Sequence, residues 1–416
     1  MSQRENKHVD VCIIGGGIAG LTLAALLADS DLSIAVIEQT TLPVEPVRPK
    51  ANAYALRVSA INLASMRIFE HIGIKPALLD ARASGYRSMQ IWDANSDARI
   101  GFNADDIDTE QLGYIIENNI IINNLYANIK VKKNVVIHAD SLQNIEYSTN
   151  GMSIHLNNKS LHTQLLIGAD GQFSKVRGLA NIPTESGSFN QSALVCRIQT
   201  ERPHQHTAYQ CFHHSGPIAY LPLTDGSSSI VWSCDTDKAA QLQELSDEDL
   251  ANAIRRALQS RLGNVTILGP RGAFPLAQQH ANRYIDSRIA LIGDAAHRTH
   301  PLAGLGANLG LQDAAVLAET LEAALQQDRP LHSIATLRKY ERTRKHQNAL
   351  ILDAMAAFKT GFGSHSPALS SIRALALNSA DRLPILKTLI TQLATGSSGD
   401  LAKICQPSYP CKGYRN

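Results

Sequence analysis

The sequence predicts an α/β fold: a parallel-sheet domain interleaved with an antiparallel-sheet domain, followed by a helical carboxyl region. Three observations carry this. Residues 9–14 form a short, β-branched apolar run that reads as a buried parallel strand, and a glycine-rich turn, a helical run over 21–27 and a second apolar strand over 33–37 come after it. Two more buried strands, 165–168 and 288–293, each lead into a corner of glycine and aspartate. Residues 192–234 differ in character, with alternating strands, turn signals and few helical patterns, as in an antiparallel sheet.

The opening turn is the most specific of these features. Gly15, Gly17 and Gly20 stand in the spacing G-x-G-x-x-G between a strand and a helix. Gly15 permits the tight turn, Gly17 lets backbone approach a pyrophosphate, and Gly20 lets the helix pack close to the strand. The helix N-terminus offers free N–H groups and the positive end of its dipole to phosphate. Glu38, at the end of the second strand, is placed to accept hydrogen bonds from a ribose diol. The unit is Rossmann-like and binds a dinucleotide, without separating FAD from NAD. There is one such motif in the chain, so no second dinucleotide fold holds NAD(P)H stably.

Composition narrows the class. With 416 residues there is room for one large or two closely joined domains. Charge is near balance, 39 Lys+Arg against 37 Asp+Glu, which implies no nucleic-acid partner. The six cysteines include no C-x-x-C pair, so neither a zinc site nor a disulfide framework is expected and a reduced, cytoplasmic chain is. Residues 11–28 imitate a signal peptide, but Asp10, the three glycines, Asp29 and Asp31 suit a βαβ unit better. No stretch offers about 18 uninterrupted apolar residues, so no membrane span is expected.

Along the chain, Pro43, Pro46 and Pro49 mark an irregular connection, and residues 57–62 then lead into a helix that stops at Gly73. Residues 89–92 and 99–102 alternate as a hairpin, and 120–129 are helical. The runs 135–139, 145–148 and 152–156 read as strands of a meander. Helices are expected over 246–262, 305–325 and 334–358, and the tail 367–396 has apolar positions at helical spacing. Trp92, Phe212, Tyr220 and Trp232 read as core residues. His297 and His300 fit backbone-holding better than acid–base work.

Three separated segments now converge: the G-x-G-x-x-G unit, Gly168-Ala169-Asp170-Gly171-Gln172-Phe173-Ser174-Lys175-Val176-Arg177, and Leu291-Ile292-Gly293-Asp294-Ala295-Ala296-His297. Their order resembles the FAD-dependent aromatic hydroxylases of the para-hydroxybenzoate hydroxylase fold, with the second segment similar to their "DG" motif and the third to their "GD" motif. Arg57-Val58-Ser59-Ala60-Ile61-Asn62, the segment from Gly216 to Leu223, and the segment from His300 to Gly310 are similar to the ubiquinone-biosynthesis hydroxylase family. Leu305 stands where that family often has Gln, and Asn119 and Ile122 where it often has Arg and Gln.

The resemblance implies a GR2-type FAD domain over 8–80, 109–180 and 276–360, a substrate domain over 81–108 and 181–275, and C-terminal helices and tail over 361–416. It implies tightly bound FAD, held by Gly15, Gly17, Ile18, Ala19, Gly20, Glu38, Gln39, Arg57, Val58, Asp170, Gly171, Gly293, Asp294, Pro301, Gly304, Gly306, Ala307 and Asn308. Asp294 would accept hydrogen bonds from the ribityl chain, Arg177 would lie beside phosphate, and Pro301, Gly304 and Gly306 would position the flavin ring. No side chain is assigned as acid or base, and no metal is expected. The implied chemistry is reduction by transient NAD(P)H and delivery of oxygen from a flavin C4a-hydroperoxide to a polyprenylated phenol or benzoquinol. Expected partners are that substrate, O₂ and other proteins of ubiquinone biosynthesis, with a homo-oligomer left open, and a place in the cytoplasm or at the inner-membrane surface. The alternatives are a hydroxylase of a soluble phenol, a non-oxygenating flavoprotein dehydrogenase and a non-enzymatic scaffold.

Overall fold

The computed structural model describes residues 7–40, 54–299, 305–363, 395–396 and 401–407. Pro301 and Gly304, His300, the three prolines of the early connection, and all of the 367–396 tail except 395–396 lie outside the described residues.

In chain order, β1 (Lys7–Ile14), α1 (Ile18–Leu27) and β2 (Ile34–Glu38) form the opening βαβ unit. β3 (Val58–Asn62), α2 (Leu63–Ile72), α3 (Lys75–Asp80) and β4 (Ser84–Tyr86) follow, then the hairpin β5 (Ser88–Asp93) and β6 (Arg99–Asn103). Next come β7 (Gly113–Glu117), α4 (Asn118–Ile129), β8 (Val135–Ala139) and the meander β9 (Leu142–Ser148), β10 (Gly151–Leu156), β11 (Ser160–Gly168). After α5 (Lys175–Leu179) the chain forms β12 (Thr184–Thr200), β13 (Thr207–His213), β14 (Gly216–Pro222), β15 (Ser228–Asp235), α6 (Thr236–Glu244), α7 (Asp247–Ala257) and β16 (Val265–Ala281). It closes with β17 (Ile285–Asp286), β18 (Ile289–Leu291), β19 (His297–Arg298), α8 (Leu305–Gln326) and α9 (Ile334–Gly363).

The first sheet runs β17-β18-β11-β1-β2-β8, with β10 and β9 added beside β11. β1 lies parallel between β2 and β11, and β11 is parallel to β18. The register aligns the strand ends. Ile14 pairs with Ile37 and with Gly168, and Gly168 pairs with Leu291, so the carboxyl ends of β2, β1, β11 and β18 finish level. Each leads into one of the acid or glycine corners. Val11, Cys12 and Ile13 are fully buried, as are Leu21, Leu23, Ala24 and Leu27 of α1. A helix apolar on most sides needs cover on most sides, and α1 packs against α4 and α8 as well as the sheet.

The second sheet runs β19-β16-β12-β15-β14-β13-β5-β6, antiparallel except where β5 lies parallel to β13. On one face Leu194, Cys196, Ile198, Ile230 and Trp232 pack under Leu242 of α6 and Leu250, Ile254 and Leu258 of α7 and the turn after it. The other face carries Ala193, Val195, Val231 and Leu276, packed with Leu56. A small third sheet, β3-β7-β4, lies beside them. Trp92, Phe212, Tyr220 and Trp232 are all buried, as expected of core residues.

Local chemistry accounts for the helix limits. Asn62 caps α2 by accepting from Ser65 N at 2.9 Å, and Gly73, at φ +89°, ends it. Ser246 caps α7, whose first turn is acidic and whose last turn carries Arg255 and Arg256.

Three expectations need correction. The 135–139 strand is not part of the meander; it pairs parallel to β2 as β8. The long strand β16 was not expected: it holds Pro270, Pro275, Gly269 and Gly272, which it tolerates because β19 covers only Gln279 and His280, leaving the rest an edge. The 246–262 helix ends at Ala257.

Candidate active site

The first corner is built by close backbone approaches. Gly15 has φ +113°, and a Cβ there would lie 2.2 Å from the Ala169 carbonyl oxygen and 2.9 Å from Asp170 N. A Cβ on Gly20 would lie 2.1 Å from the Gly15 carbonyl oxygen. These two glycines therefore pack the turn against the end of β11. Gly17 is different: a Cβ there would meet no described atom within 4 Å. It is the N-cap residue of α1, with extended backbone and no side-chain cap, so the helix end faces open space. Ile18 and Ala19 are half-buried. Glu38 stands across the turn, its Oε2 accepting from Gly16 N at 2.6 Å and its Oε1 from Thr40 N at 3.0 Å, with Gln39 exposed beside it. Each carboxylate oxygen keeps acceptor capacity for a diol.

The second corner is tied inward. Asp170 accepts from Ser174 Oγ at 2.5 Å, Lys175 N at 2.7 Å and Val176 N at 3.1 Å, so it organises the start of α5. Gly171 has φ +79°. Arg177, expected beside phosphate, donates to the carbonyls of Ala295 and Gln172, both at 2.8 Å, and so links the second corner to the third.

The third corner is a 3₁₀ turn, Gly293–Ala295, directly after β18. Gly293 is left-handed, at φ +59°, and its Cβ position lies 3.2 Å from Ala19 Cβ and 3.8 Å from Gly310 Cα, which brings α1, the turn and α8 together. Asp294 is exposed. Burial lowers the Arg298 pKa, the Asp294 charge opposes that and the Arg57 charge adds to it, so these three side chains share one electrostatic neighbourhood. Arg57 is exposed at the start of β3 and Val58 is half-buried. Asn308, in the first turn of α8 and 2% exposed, accepts from Asn62 N at 3.0 Å and donates to the Ala60 carbonyl at 2.7 Å, fixing α8 to β3. Gly306 and Ala307 are half-buried on the same turn. Thr299 Oγ1, 3.9 Å from the Cβ position of Gly306, is buried with no hydrogen-bond partner among the described residues. The tail returns here too, with the Thr395 carbonyl accepting from Ala64 N at 3.4 Å.

A buried polar cluster under the third corner was not anticipated. Asp313 of α8 is fully buried; its Oδ2 accepts from Gly293 N at 3.0 Å and lies 2.5 Å from His297 Nε2. Its Oδ1 accepts from Arg344 Nε at 2.8 Å and Asn348 Nδ2 at 3.2 Å. Burial alone would raise the Asp313 pKa, but the charges of His297 and Arg344 and their hydrogen bonds override it and hold the carboxyl well below the usual range. Tyr284 stacks on the His297 ring at 5.8 Å and bonds His280 Nε2 at 3.0 Å. His297 was expected to hold backbone; its ring instead bonds the Asp313 side chain, because the buried carboxylate lies directly beneath the turn. An aspartate inside the apolar run of α8 was the available signal for this cluster.

The segment before β3 is held between the second sheet and the small third sheet. The Tyr54 ring lies between the Arg82 and Arg197 guanidiniums, at 3.9 and 4.9 Å, and its hydroxyl bonds Thr224 Oγ1 at 3.0 Å. Arg82 pairs with buried Glu117 at 2.8 Å, and Glu117 Oε1 also accepts from Ala55 N at 2.7 Å. Leu56 thereby packs on the Ala193, Val195 and Leu276 face of the second sheet, and Arg57 follows it at the start of β3.

The residues fit FAD on three structural grounds: the space left by the described residues at Gly17, the acceptor capacity of Glu38, and the Thr299 hydroxyl beside the first turn of α8, which has no hydrogen-bond partner among the described residues. Comparisons agree. Residues 8–354 match the family described as FAD binding domain. The chain is 32% identical over 402 residues to the 3-demethoxyubiquinol 3-hydroxylase of Escherichia coli, covering 94% of this chain and 99% of that one. It is 32% identical over 441 residues to the ubiquinone biosynthesis monooxygenase COQ6 of Danio rerio, covering 95% and 91%. The crystal structure of p-nitrophenol 4-monooxygenase PnpA from Pseudomonas putida superposes with a TM-score of 0.75 at 18% identity, covering 95% and 99%, which shows the shared fold. The chain belongs to the FAD-dependent aromatic hydroxylases, in the family that holds the ubiquinone-biosynthesis hydroxylases.

Proposed function

We propose that this enzyme hydroxylates the aromatic ring of a polyprenylated phenol or benzoquinol in ubiquinone biosynthesis, using NAD(P)H and O₂. The observation that carries the reading is the level register of β2, β1, β11 and β18, which sets Gly15, Glu38, Asp170 and Asp294 along one sheet edge. Ligands of open α/β sheets bind at that edge. The relatives of similar length, named for ubiquinone synthesis, support the substrate class.

In this reading the α1 N-terminus holds the pyrophosphate and Glu38 the ribose diol. Asp294 accepts from the ribityl hydroxyls. Pro301, Gly304 and Gly306 leave room for the flat ring, and the first N–H groups of α8 face its carbonyl edge. FAD, when bound, supplies two-electron reduction by NAD(P)H and the activation of O₂. The protein's own work is to orient the ring and to exclude water from it. The apolar face formed by Leu56, Ala193, Val195, Val231 and Leu276 suits a prenyl-bearing substrate, and a phenol activates its own ring, so no strong protein base is required. Residues 8–80, 109–180 and 276–360 serve as the FAD domain, and 81–108 with 181–275 as the substrate domain. A bilayer-derived substrate places the enzyme at the inner-membrane surface or with a lipid-presenting protein; no helix among the described residues is long and apolar enough to cross a membrane.

The test is isotopic. Cells lacking the chain should accumulate an under-hydroxylated prenyl phenol or quinol, and purified enzyme with NAD(P)H and ¹⁸O₂ should put one ¹⁸O into that compound. Product lacking ¹⁸O, or no accumulated intermediate, would overturn the proposal.

A further inference from the structure

Asp294 carries most of the polar recognition proposed at the third corner, yet its side chain makes no hydrogen bond to the described protein. It is exposed, and only the backbone beneath it fixes where the carboxylate points. That backbone is gripped from one atom. Asp313 Oδ2 accepts from the N–H of Gly293, the residue before Asp294, and also holds the imidazole of His297, three residues after it. Asp313 Oδ1 is in turn anchored to α9 through Arg344 and Asn348. Arg344 is itself 1% exposed and bonded to Gln347 Oε1 at 2.6 Å and Asn348 Oδ1 at 2.8 Å, so the anchor does not move freely.

We infer that Asp313 is a positioning residue for the cofactor: its buried carboxylate, backed by Arg344, holds both flanks of the turn and thereby aims Asp294 at the flavin side chain. The inference rests on the proposed role of Asp294. An ordinary core ion pair needs no bond to the loop. This one places two of its acceptor contacts on the loop and two on α9, which makes it a strut between them. Held groups of this kind lower the ordering cost of binding, because the site is formed before the ligand arrives.

The experiment is a double-mutant cycle read by FAD titration of apoprotein, following flavin fluorescence. Asp294→Ala should weaken FAD binding about tenfold or more, the loss of hydrogen bonds to a charged group. Asp313→Asn should weaken it to a similar degree. Because Asp313 acts through Asp294, the double variant should bind little worse than Asp294→Ala alone. Tyr340→Phe is the control: it removes a buried bond to the Leu291 carbonyl at 2.6 Å, just before the same turn, and should lower thermal stability while leaving FAD affinity unchanged. If Asp313→Asn fails to fold, His297→Gln releases one grip while leaving the Arg344 pair, and its several-fold loss should likewise vanish in the Asp294→Ala background. Wild-type affinity in Asp313→Asn, losses that multiply in the double variant, or a matching loss in Tyr340→Phe would each overturn the inference. Wild-type affinity in Asp294→Ala would instead overturn the reading of the site.

Discussion

Replacing Arg344 by Met isolates the energetics of the buried cluster. Met keeps most of the aliphatic volume and removes the guanidinium, which is 1% exposed and bonded to Asp313 Oδ1 at 2.8 Å, Asn348 Oδ1 at 2.8 Å and Gln347 Oε1 at 2.6 Å. Breaking one partner out of a buried ion pair costs about 3–5 kcal/mol, because the remaining charge stays desolvated. Asp313 keeps Gly293 N, Asn348 and His297, so the lower end, about 3 kcal/mol, is expected. That is a large share of the roughly 5–15 kcal/mol of a folded domain. The pH dependence has a definite sign. The Asp313 pKa is depressed in the folded state, so its contribution is present above the unfolded value of about 3.9 and is lost as pH falls through the lower, folded value. In Arg344→Met one of the two neighbouring charges that offset burial is gone, so the folded pKa moves up toward the unfolded value and this group's share of the stability lost on acidification below about pH 4 shrinks. Urea unfolding of apoprotein at about pH 7 and about pH 3, on either side of the unfolded carboxyl value, measures both effects. A variant within about 1 kcal/mol of wild type at pH 7, with the same difference between about pH 3 and about pH 7, would refute the reasoning.

Gly15→Ala combines a left-handed backbone position with a Cβ placed 2.2 Å from the Ala169 carbonyl oxygen, and should cost at least about 3 kcal/mol in strain and overlap; unchanged thermal stability would contradict the turn geometry. Glu117→Ala leaves Arg82 without its buried partner and Ala55 N without an acceptor, and should destabilise the chain by about 3 kcal/mol and loosen the 54–57 segment, seen as faster amide exchange there. Burial pushes the thiols of Cys12, Cys196, Cys211 and Cys405 up to about 12 and that of Cys234 to about 11, so a thiol reagent at pH 8 should leave these five unlabelled in native protein; rapid labelling of any of the five would show the cores to be open.

The parts legible in the sequence were those whose chemistry is local. β2 up to Ile37, β18 and the carboxyl halves of β1 and β11 are buried on both faces, so they read as continuous apolar runs, each followed within two residues by a glycine or an acid. Gly15 and Gly20 are legible because only glycine survives those approaches. β8 was placed wrongly because a short apolar strand does not announce its partner; parallel addition beside β2 is decided by the α4 crossover, not by residues 135–139. β16 escaped notice because an edge strand keeps the prolines that would exclude a central one. The Asp313–Arg344 pair joins two helices whose facing is set by tertiary packing, and Arg344 sits in a sequence as polar as any exposed helix. The position of His297 in the turn suggested that it holds backbone; the fold shows it bonding the Asp313 carboxylate, a partner 16 residues away that the turn itself does not reveal.

Gly17→Asp separates cofactor binding from folding at the corner where both meet. Gly17 has extended backbone, φ −78° and ψ −176°, and its missing side chain faces open space. Aspartate is a better N-cap than glycine, so apoprotein stability should stay level or rise by a few tenths of a kcal/mol. The same carboxylate would stand where the pyrophosphate must lie, and FAD affinity should fall by about a hundredfold or more through like-charge repulsion and lost space. FAD titration and thermal unfolding of the same apoprotein sample give both numbers. Intact stability with lost FAD binding places the dinucleotide at this helix end, and wild-type FAD affinity would mean that the cofactor lies elsewhere.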